Sequence, residues 1–272
     1  MPTDGKPPIP EIIIVVGGGD APGSLLTSMT PGGPERQGHG ATVIAADSGL
    51  DVAQGMGLPV DHLVGDLDSV SAPARRSAEV QGVRVHAHER DKDATDLELA
   101  LDLALELLAW NALAAAGSPS ASPLPAARLT VVGPGAGRLD HLLADVSLLA
   151  APRLAALEVR ARFGIAHLTV VPPGVRRAVG GEPGEQISLL PVHGSARGVT
   201  TTGLRWALRD ADLAAGTSRG LSNEVVHPEA SVAVGEGILV VVRPGTCAPD
   251  VARRTTAYDP SPRTLDPPEE LS

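Results

Sequence analysis

Aspartates recur at the ends of the apolar segments of this chain, with a spacing that suits a metal ion. The segment 65–70 reads GDLDSV and separates Asp66 from Asp68 by one residue, while Asp47 ends the earlier apolar run ATVIAAD. Crowded carboxylates repel each other unless a cation neutralises them, and Mg²⁺ typically takes one or two carboxylates together with substrate phosphates. The spacing therefore indicates a site where a divalent cation meets a phosphorylated ligand. Aspartates that only form turns or cap helices would give the same pattern, and this alternative stays open.

A second acidic segment, DKDATD at 91–96, precedes the clearest helical pattern of the chain. Asp93 and Asp96 would add two carboxylates to the acidic group, and Lys92 would offer a positive charge to a phosphate. The alternative is that these residues only form the first turn of the helix, where the helix dipole favours acidic side chains. Taken by itself, the segment favours this structural alternative.

The segment GPGAGRLDH at 133–141 has glycines between a predicted strand and a predicted helix. Glycines in this place let backbone N–H groups approach a phosphate, and the N-terminus of the helix adds a favourable dipole. The segment lacks the G-x-x-x-x-G-K-[ST] order of a P-loop, so it is a weak motif by itself. Either Arg138, Asp140 and His141 contact a nucleotide, or they form a helix cap and a surface ion pair.

Alternating strands and helices must position these side chains in the first half of the chain. Buried strands are predicted in EIIIVV (11–16), at 41–47, at 63–64 and at 129–133, and helices at 49–57, 93–111 and 138–152. This alternation predicts an α/β fold whose mostly parallel sheet carries helices on its faces. Ligands of such sheets lie at the carboxyl ends of the strands, so we expect Asp47, Asp66, Asp68 and the segment 133–141 along one edge.

The second half of the chain has a different pattern from about residue 160 onward. Short strand-like runs separated by proline and glycine turns replace the helices, as in HLTVVPPG, QISLLPVHG and ILVVVRPG. This pattern predicts an antiparallel sandwich or barrel. Residues 251–272 are polar and rich in proline, which predicts a disordered tail. The expected division is therefore a first domain at 1–160, a second at 161–250 and a tail at 251–272.

The composition is that of an ordinary globular protein with an acidic surplus. Hydrophobic residues make up 43% and charged residues 20% of the 272 residues, and the formal net charge is −10. An acidic chain without a run of lysines and arginines is a poor match for a nucleic acid backbone. Cys247 is the only cysteine, which excludes an internal disulfide and a cysteine-based zinc site. No signal peptide and no apolar run of ~20 residues is visible, so we expect a cytoplasmic protein with no membrane partner.

The ordered set of motifs resembles the thiamine pyrophosphokinase family. ADSG, GDLDS, DKDATDLELAL, GRLDH, VTTTGLRWAL and SNE follow one another between about Ile12 and Val242. The resemblance implies a nucleotide-binding α/β domain followed by a thiamine-binding β-sandwich domain, and a homodimer whose active site lies where domains and subunits meet. The reaction that it implies transfers the pyrophosphoryl group of ATP to the hydroxyl of thiamine. The products are thiamine diphosphate and AMP, and Mg²⁺ is required.

The resemblance also implies roles for individual residues. The implied catalytic residues are Asp66, Asp68, Asp96 and Asp140, of which the first three would bind the metal. The implied ATP contacts are Asp47, Lys92, Asp93, Arg138 and His141. The implied thiamine contacts are Trp206, Ser222 and Asn223, and an indole face suits the cationic thiazolium through stacking and cation–π attraction. The structural alternative is that Trp206 is a core tryptophan of the sandwich and that Ser222 and Asn223 form an ordinary turn.

The sequence departs from the family pattern at two places, and three other functions are alternatives to this interpretation. Ser48 stands where the family usually has the first glycine of D-G-G, and Pro134–Gly135 vary the glycine pattern before GRLDH. A diphosphokinase acting on a hydroxymethylpterin would share the carboxylates but need not keep GLRWAL and SNE. A catalytically silent relative that binds a nucleotide or a thiamine phosphate would be expected to have lost acidic residues. A dehydrogenase is the most distant rival, because no well-placed G-x-G-x-x-G follows the first strand.

Overall fold

The computed structural model describes residues 9–18, 40–116, 126–135 and 137–245. Its first half alternates strands with helices, and its second half consists of strands. The order is β1 Glu11–Val16, β2 Ala41–Ala46, α1 Gly49–Gly55, β3 His62–Gly65, α2 Ala72–Gln81, β4 Arg84–Ala87, α3 Asp96–Ala116, β5 Arg128–Gly133, α4 Leu139–Leu149 and a 3₁₀ turn Pro152–Leu154. There follow β6 Glu158–Phe163, β7 Ala166–Val171, β8 Arg176–Ala178, β9 Gln186–Thr202, β10 Ala211–Leu213, β11 Asn223–Glu224, β12 Ser231–Ala233 and β13 Glu236–Arg243.

The first six strands form a parallel sheet in the order β4-β3-β2-β1-β5-β6. Apolar side chains alternate along these strands and therefore supply a core on each face. On one face, Ile13 and Val15 pack with residues of α1 and α2. On the other face, Ile12 and Ile14 pack with residues of α3 and α4. The parallel strands all end at the same edge, which is where the predicted functional residues follow them.

The sheet continues into the second half without a break, but its strands become antiparallel. β7 pairs with β6, and the order then runs β7-β13-β9-β12-β8. The long β9 pairs with β13 through its first part and with β12 through Thr200–Thr202, so the sheet folds back on itself. This arrangement encloses a third apolar core, which includes Ile187, Leu189 and Val232.

The α/β class with a parallel first half and an antiparallel second half is confirmed. The main local difference concerns α3, which was predicted to begin at residue 93 and begins at Asp96. The reason is local capping, because the Thr95 hydroxyl accepts a hydrogen bond from the Glu98 backbone N–H at 3.2 Å. The helical pattern of this segment comes from leucines at helical spacing, of which Leu97, Leu101 and Leu108 are buried.

Some sequence-based expectations are not tested by this fold. The domain boundary at residue 160 stays a prediction, since β6 and the continuous sheet run through it. The tail at 251–272 and Cys247 lie outside the described residues. Within the described part of the chain, no helix has both the length and the apolar character needed to cross a bilayer.

Candidate active site

A cavity of about 1030 Å³ opens at the carboxyl ends of the parallel strands. Its walls come from the ends of β1, β2 and β3, the start of α3, and the first turns of α4. Seven of the twelve predicted site residues line it: Asp47, Asp66, Asp68, Lys92, Asp96, Arg138 and His141. The structure therefore brings together residues of four motifs that are up to about ninety residues apart in the chain.

Three carboxylates form a compact cluster in this cavity. Asp47, Asp66 and Asp68 each offer an oxygen atom, and these oxygens lie within 4.8 Å of one another. Asp47 is only 8% exposed, and its Oδ1 is buried without a hydrogen-bond partner among the described residues. Burial, followed by the nearby Asp96 and Asp66 charges, raises the pKa of Asp47 against the effect of its hydrogen bonds. An orphaned buried acceptor beside two further carboxylates is a donor set that a hard cation would satisfy.

The GDLDSV segment holds its two aspartates in a tight turn. The backbone N–H of Asp68 donates to Oδ1 of Asp66 at 3.1 Å, and this bond is the main cause that lowers the pKa of Asp66. Leu67 between them has a left-handed backbone with φ of 65°, which is unusual for a branched side chain. The Arg75 guanidinium fixes this conformation by donating to the Leu67 carbonyl. Arg90 pairs with Asp68 at 3.3 Å from the solvent side.

Gly65 allows Asp96 to approach this cluster. A Cβ at position 65 would lie 3.0 Å from Oδ1 of Asp96 and 3.1 Å from Cβ of Asp47, and its φ of 141° already favours glycine. Asp96 is held by Lys92, whose Nζ lies 2.7 Å from Oδ1 of Asp96 with both side chains largely shielded. The result is a fourth carboxylate next to the cluster, with its own cation.

The N-terminus of α4 contributes a separate pair. Arg138 donates to both carboxylate oxygens of Asp140, at 3.1 Å from Nε and 2.5 Å from Nη2. This bidentate contact lowers the pKa of Asp140 to about 2. Arg138 and His141 line the cavity, whereas the exposed Asp140 is not among the residues that form its walls.

Two charged cavity residues, Arg90 and Asp145, were missed by the sequence analysis. Asp145 follows His141 by one turn of α4 and lines the cavity beside the apolar Leu142 and Phe163. Burial raises the pKa of Asp145 to about 6, against a smaller opposing effect of His141. Four-residue spacing on a helix that starts at a glycine-rich segment was the available signal, but only the packing of α4 shows that Asp145 turns inward.

The remaining predicted residues lie elsewhere. Asp93 is exposed and, among the described residues, is not one of those that line the cavity. Trp206, Ser222 and Asn223 belong to the antiparallel half and are likewise absent from the described cavity walls. Within the described part of one chain, therefore, the carboxylate cluster and the predicted thiamine contacts do not share a cavity.

Trp206 and Asn223 are joined by a set of hydrogen bonds. Oδ1 of Asn223 accepts from the backbone N–H of Trp206 at 3.1 Å and of Glu224 at 2.8 Å, and Nδ2 donates to the Trp206 carbonyl at 2.8 Å. Asn223 is buried by this arrangement, while Trp206 stays 56% exposed. The Arg205 guanidinium lies 5.3 Å from the centre of the Trp206 ring and also pairs with Glu224. An exposed indole held in this way is suited to stacking against a flat or cationic ligand.

Comparisons with known proteins agree with this architecture. A family model described as the thiamin pyrophosphokinase catalytic domain matches residues 37–161, and one described as the thiamin pyrophosphokinase vitamin B1 binding domain matches residues 175–239. The thiamine pyrophosphokinase of Bacillus subtilis (strain 168) is 28% identical over 202 residues, which cover 74% of this chain and 83% of that protein.

Solved structures give the same result. The thiamine pyrophosphokinase from Bacillus subtilis has a TM-score of 0.67 and 26% identity, and the match covers 87% of this chain and 100% of that one. The thiamin pyrophosphokinase from Geobacillus thermodenitrificans has a TM-score of 0.64 and 26% identity, with 87% and 99% covered. The yeast enzyme shares the fold, with a TM-score of 0.64 at 13% identity over 86% of each chain. Because both domain models match in order and together account for most of the chain, this protein belongs to the thiamine pyrophosphokinase family.

Proposed function

We propose that this chain is a thiamine diphosphokinase, which transfers the pyrophosphoryl group of ATP to the hydroxyl of thiamine and releases AMP. The observation that carries the proposal is the carboxylate cluster of Asp47, Asp66 and Asp68, with its orphaned buried oxygen, in a cavity of about 1030 Å³. A cavity of this size suits a nucleotide, and the cluster suits the cation that accompanies its phosphates.

The donor set fits magnesium. Asp66, Asp68 and Asp96 would hold the ion, and the buried oxygen of Asp47 lies beside them. All of these donors are carboxylate oxygens, which hard cations prefer, and no cysteine is present among the residues of the cluster. Bound Mg²⁺ would screen the repulsion between the carboxylates and the triphosphate and would stabilise the charge that develops on the leaving group.

The cationic side chains would bind and orient the phosphates. Lys92 and Arg90 stand on one side of the cavity, and Arg138 and His141 stand on another, at the N-terminus of α4. Phosphoryl transfer depends mainly on positioning and electrostatics, so cations that bind and orient the phosphates would supply much of the catalysis. Asp140 would act by holding Arg138, to which it is bonded through both oxygens.

Thiamine would stack on the free face of Trp206. Arg205 lies near the ring and Asn223 fixes its backbone, so the ring is positioned before the ligand arrives. We propose that Asn223 acts through Trp206, because the hydrogen bonds that its amide makes are directed to the backbone. Ser222 stands exposed next to it, and the exposed Asp93 remains a proposed nucleotide contact.

The two half-sites would be joined in a homodimer. The carboxylate cavity and Trp206 do not share a cavity in one chain, so we propose that one subunit's cavity faces the partner subunit's Trp206. The first part of the chain, 1–160, would then bind ATP and the part 161–250 would bind thiamine. The catalytic and vitamin B1 matches at 37–161 and 175–239 support this division.

The direct test is an assay of the pure protein with ATP, Mg²⁺ and thiamine, followed by chromatography. The proposal predicts AMP and thiamine diphosphate in equal amounts and their loss when EDTA is added. Tight binding of both substrates without AMP would instead indicate a silent relative. Turnover of a hydroxymethylpterin without any binding of thiamine would indicate the related diphosphokinase.

Mixing two inactive variants tests the shared site. A dimer of Asp68→Asn with Trp206→Ala contains one doubly defective site and one intact site, provided that each site combines two subunits. Random exchange of subunits should therefore restore about a quarter of the wild-type activity. No recovery after proven exchange would place the whole site within one chain.

A further inference from the structure

A strip of basic side chains crosses three neighbouring strands on one face of the sheet. Arg162 on β6 lies directly opposite His167 on β7, and His167 lies directly opposite Arg243 on β13. Arg160 precedes Arg162 by two residues and therefore points to the same face. On β5, Arg128 pairs in register with Glu158 and extends this strip.

The strip has more donors than acceptors. Of the four buried side-chain polar atoms without a partner in the described residues, three are guanidinium Nε atoms, which belong to Arg128, Arg162 and Arg177. Arg177 reaches the strip from β8 and donates to the Leu157 carbonyl at the start of β6. Arg162 makes no ion pair with any described residue, although it is half-buried.

Two carboxylates of the strip, Glu158 and Glu185, already form ion pairs. Glu158 pairs with both Arg128 and Arg160, at 3.5 Å and 2.6 Å. Glu185 pairs with Arg243 at 2.9 Å. Glu11 on β1 lies in register with Arg128 as a third glutamate, so five arginines and one histidine face three glutamates, in a chain whose net charge is −10.

This arrangement is unfavourable by itself. Like charges directly opposite each other on neighbouring strands destabilise a sheet, and a buried charge without a partner costs more. Burial lowers the pKa of Arg162, and burial together with Arg243 and Arg162 lowers the pKa of His167. An anion bound on the strip would offset both costs.

The strip is separate from the cavity at the strand ends. Phe163, the residue after Arg162, lines that cavity, and successive side chains of a strand point to opposite faces. On the face of Arg162, Val132 packs into the core under α1 and α2, while Val241 packs into the antiparallel core. The strip therefore lies between two apolar cores, on the face opposite to Phe163.

We propose that this strip is a second, metal-independent binding site for a small anion that carries a phosphate or diphosphate group. The planar guanidinium forks of Arg162 and Arg160 would donate to the phosphate oxygens, and His167 and Arg243 would bound the site at its other end. Arginine suits such ligands because its donors match phosphate oxygens in pairs.

The test measures anion binding in EDTA, where the carboxylate cluster of the first site repels anions. Calorimetry with inorganic pyrophosphate should give binding to the wild-type protein, and Arg162→Gln should weaken it at least about tenfold. Arg138→Gln, which removes a cation from the other cavity, should leave this binding unchanged. Thiamine diphosphate in a second arm identifies the source: binding tighter than that of pyrophosphate, and weakened by Arg162→Gln, indicates an organic diphosphate, whereas equal binding indicates the free anion.

Thermal unfolding provides an independent readout. Without an anion, Arg162→Gln should raise the Tm because it removes an unpaired charge, whereas pyrophosphate should raise the Tm of the wild type alone. No binding of either ligand to the wild type in EDTA would overturn the proposal. So would equal binding by Arg162→Gln, or a lower Tm of this variant without ligand, which would assign Arg162 a structural role.

Discussion

The hydrogen bonds of Asn223 give the most specific prediction about the thiamine half of the site. The change is Asn223→Ala, which removes the amide that accepts from two backbone N–H groups and donates to the Trp206 carbonyl. The loop that carries Trp206 would lose its main polar link to β11. The indole would then no longer be fixed in place before thiamine binds.

The size of the effect follows from these bonds. A neutral hydrogen bond contributes about 1 kcal/mol net, and three are lost, but these bonds are only partly buried, so water can replace part of them. We therefore expect the free energy of unfolding to fall by about 2 kcal/mol. Thiamine affinity should fall about tenfold, which corresponds to about 1.4 kcal/mol for ordering the indole at each binding event. ATP affinity should not change.

Intrinsic fluorescence can follow this loop. The chain has two tryptophans, and Trp110 is 72% exposed, so Trp110→Phe leaves Trp206 as a single reporter at little cost. In this background, urea unfolding gives the stability and quenching by thiamine gives the affinity. Asn111→Ala is the matched control, because Asn111 is an exposed asparagine on α3.

Two results would refute this reasoning. Unchanged thiamine quenching in Asn223→Ala would show that the hydrogen bonds do not position the indole. Equal losses of thiamine and ATP affinity would show a general folding defect instead of a local one.

Three further changes test the carboxylate half. Asp68→Asn should lower turnover by on the order of 10²-fold or more with normal unfolding, and near wild-type activity would contradict the metal assignment. Gly65→Ala should push Asp96 and Asp47 apart and weaken Mg²⁺ binding in a titration, whereas Gly57→Ala, also at positive φ but in open space, should leave it unchanged. The pKa of Asp145 is raised to about 6 in the folded state. Between about pH 4 and 6 the folded protein therefore keeps a proton on Asp145 that the unfolded chain has lost, and the free energy of unfolding falls as the pH rises through this window. In EDTA, Asp145→Asn should remove this part of the pH dependence and stabilise the protein at neutral pH by about 1 kcal/mol after solvent screening. The control Glu106→Gln, on the exposed side of α3, should do neither. Identical plots of unfolding free energy against pH for wild type and Asp145→Asn would contradict the prediction.

The sequence could predict those parts of the site that local patterns encode. Asp47, Asp66 and Asp68 follow strands that the apolar runs already indicate, and parallel strands end at one edge, so their meeting was predictable. The helix α3 was also predictable, because its leucines recur at helical spacing. The first residue of α3 was not predicted correctly, because the Thr95 hydroxyl caps the helix and sets its start at Asp96.

Other features depend on packing and register, which no single segment encodes. No local sequence pattern distinguishes Asp145 from other acidic helix residues, and only the packing of α4 against the fold directs it toward the cavity. The basic strip is invisible in the sequence because Arg162, His167 and Arg243 become neighbours only through the pairing of β6, β7 and β13. The same holds for Asn223, whose bonds to Trp206 join positions seventeen residues apart.

We expect this chain to transfer the pyrophosphoryl group of ATP to thiamine in one step, and phosphorus NMR can follow that transfer. ATP, Mg²⁺ and thiamine are mixed with the protein, and the phosphorus signals of all products are followed over time. AMP and thiamine diphosphate should then accumulate in equal amounts, without ADP. The appearance of ADP with thiamine monophosphate, or an unchanged ATP spectrum although both substrates bind, would contradict it.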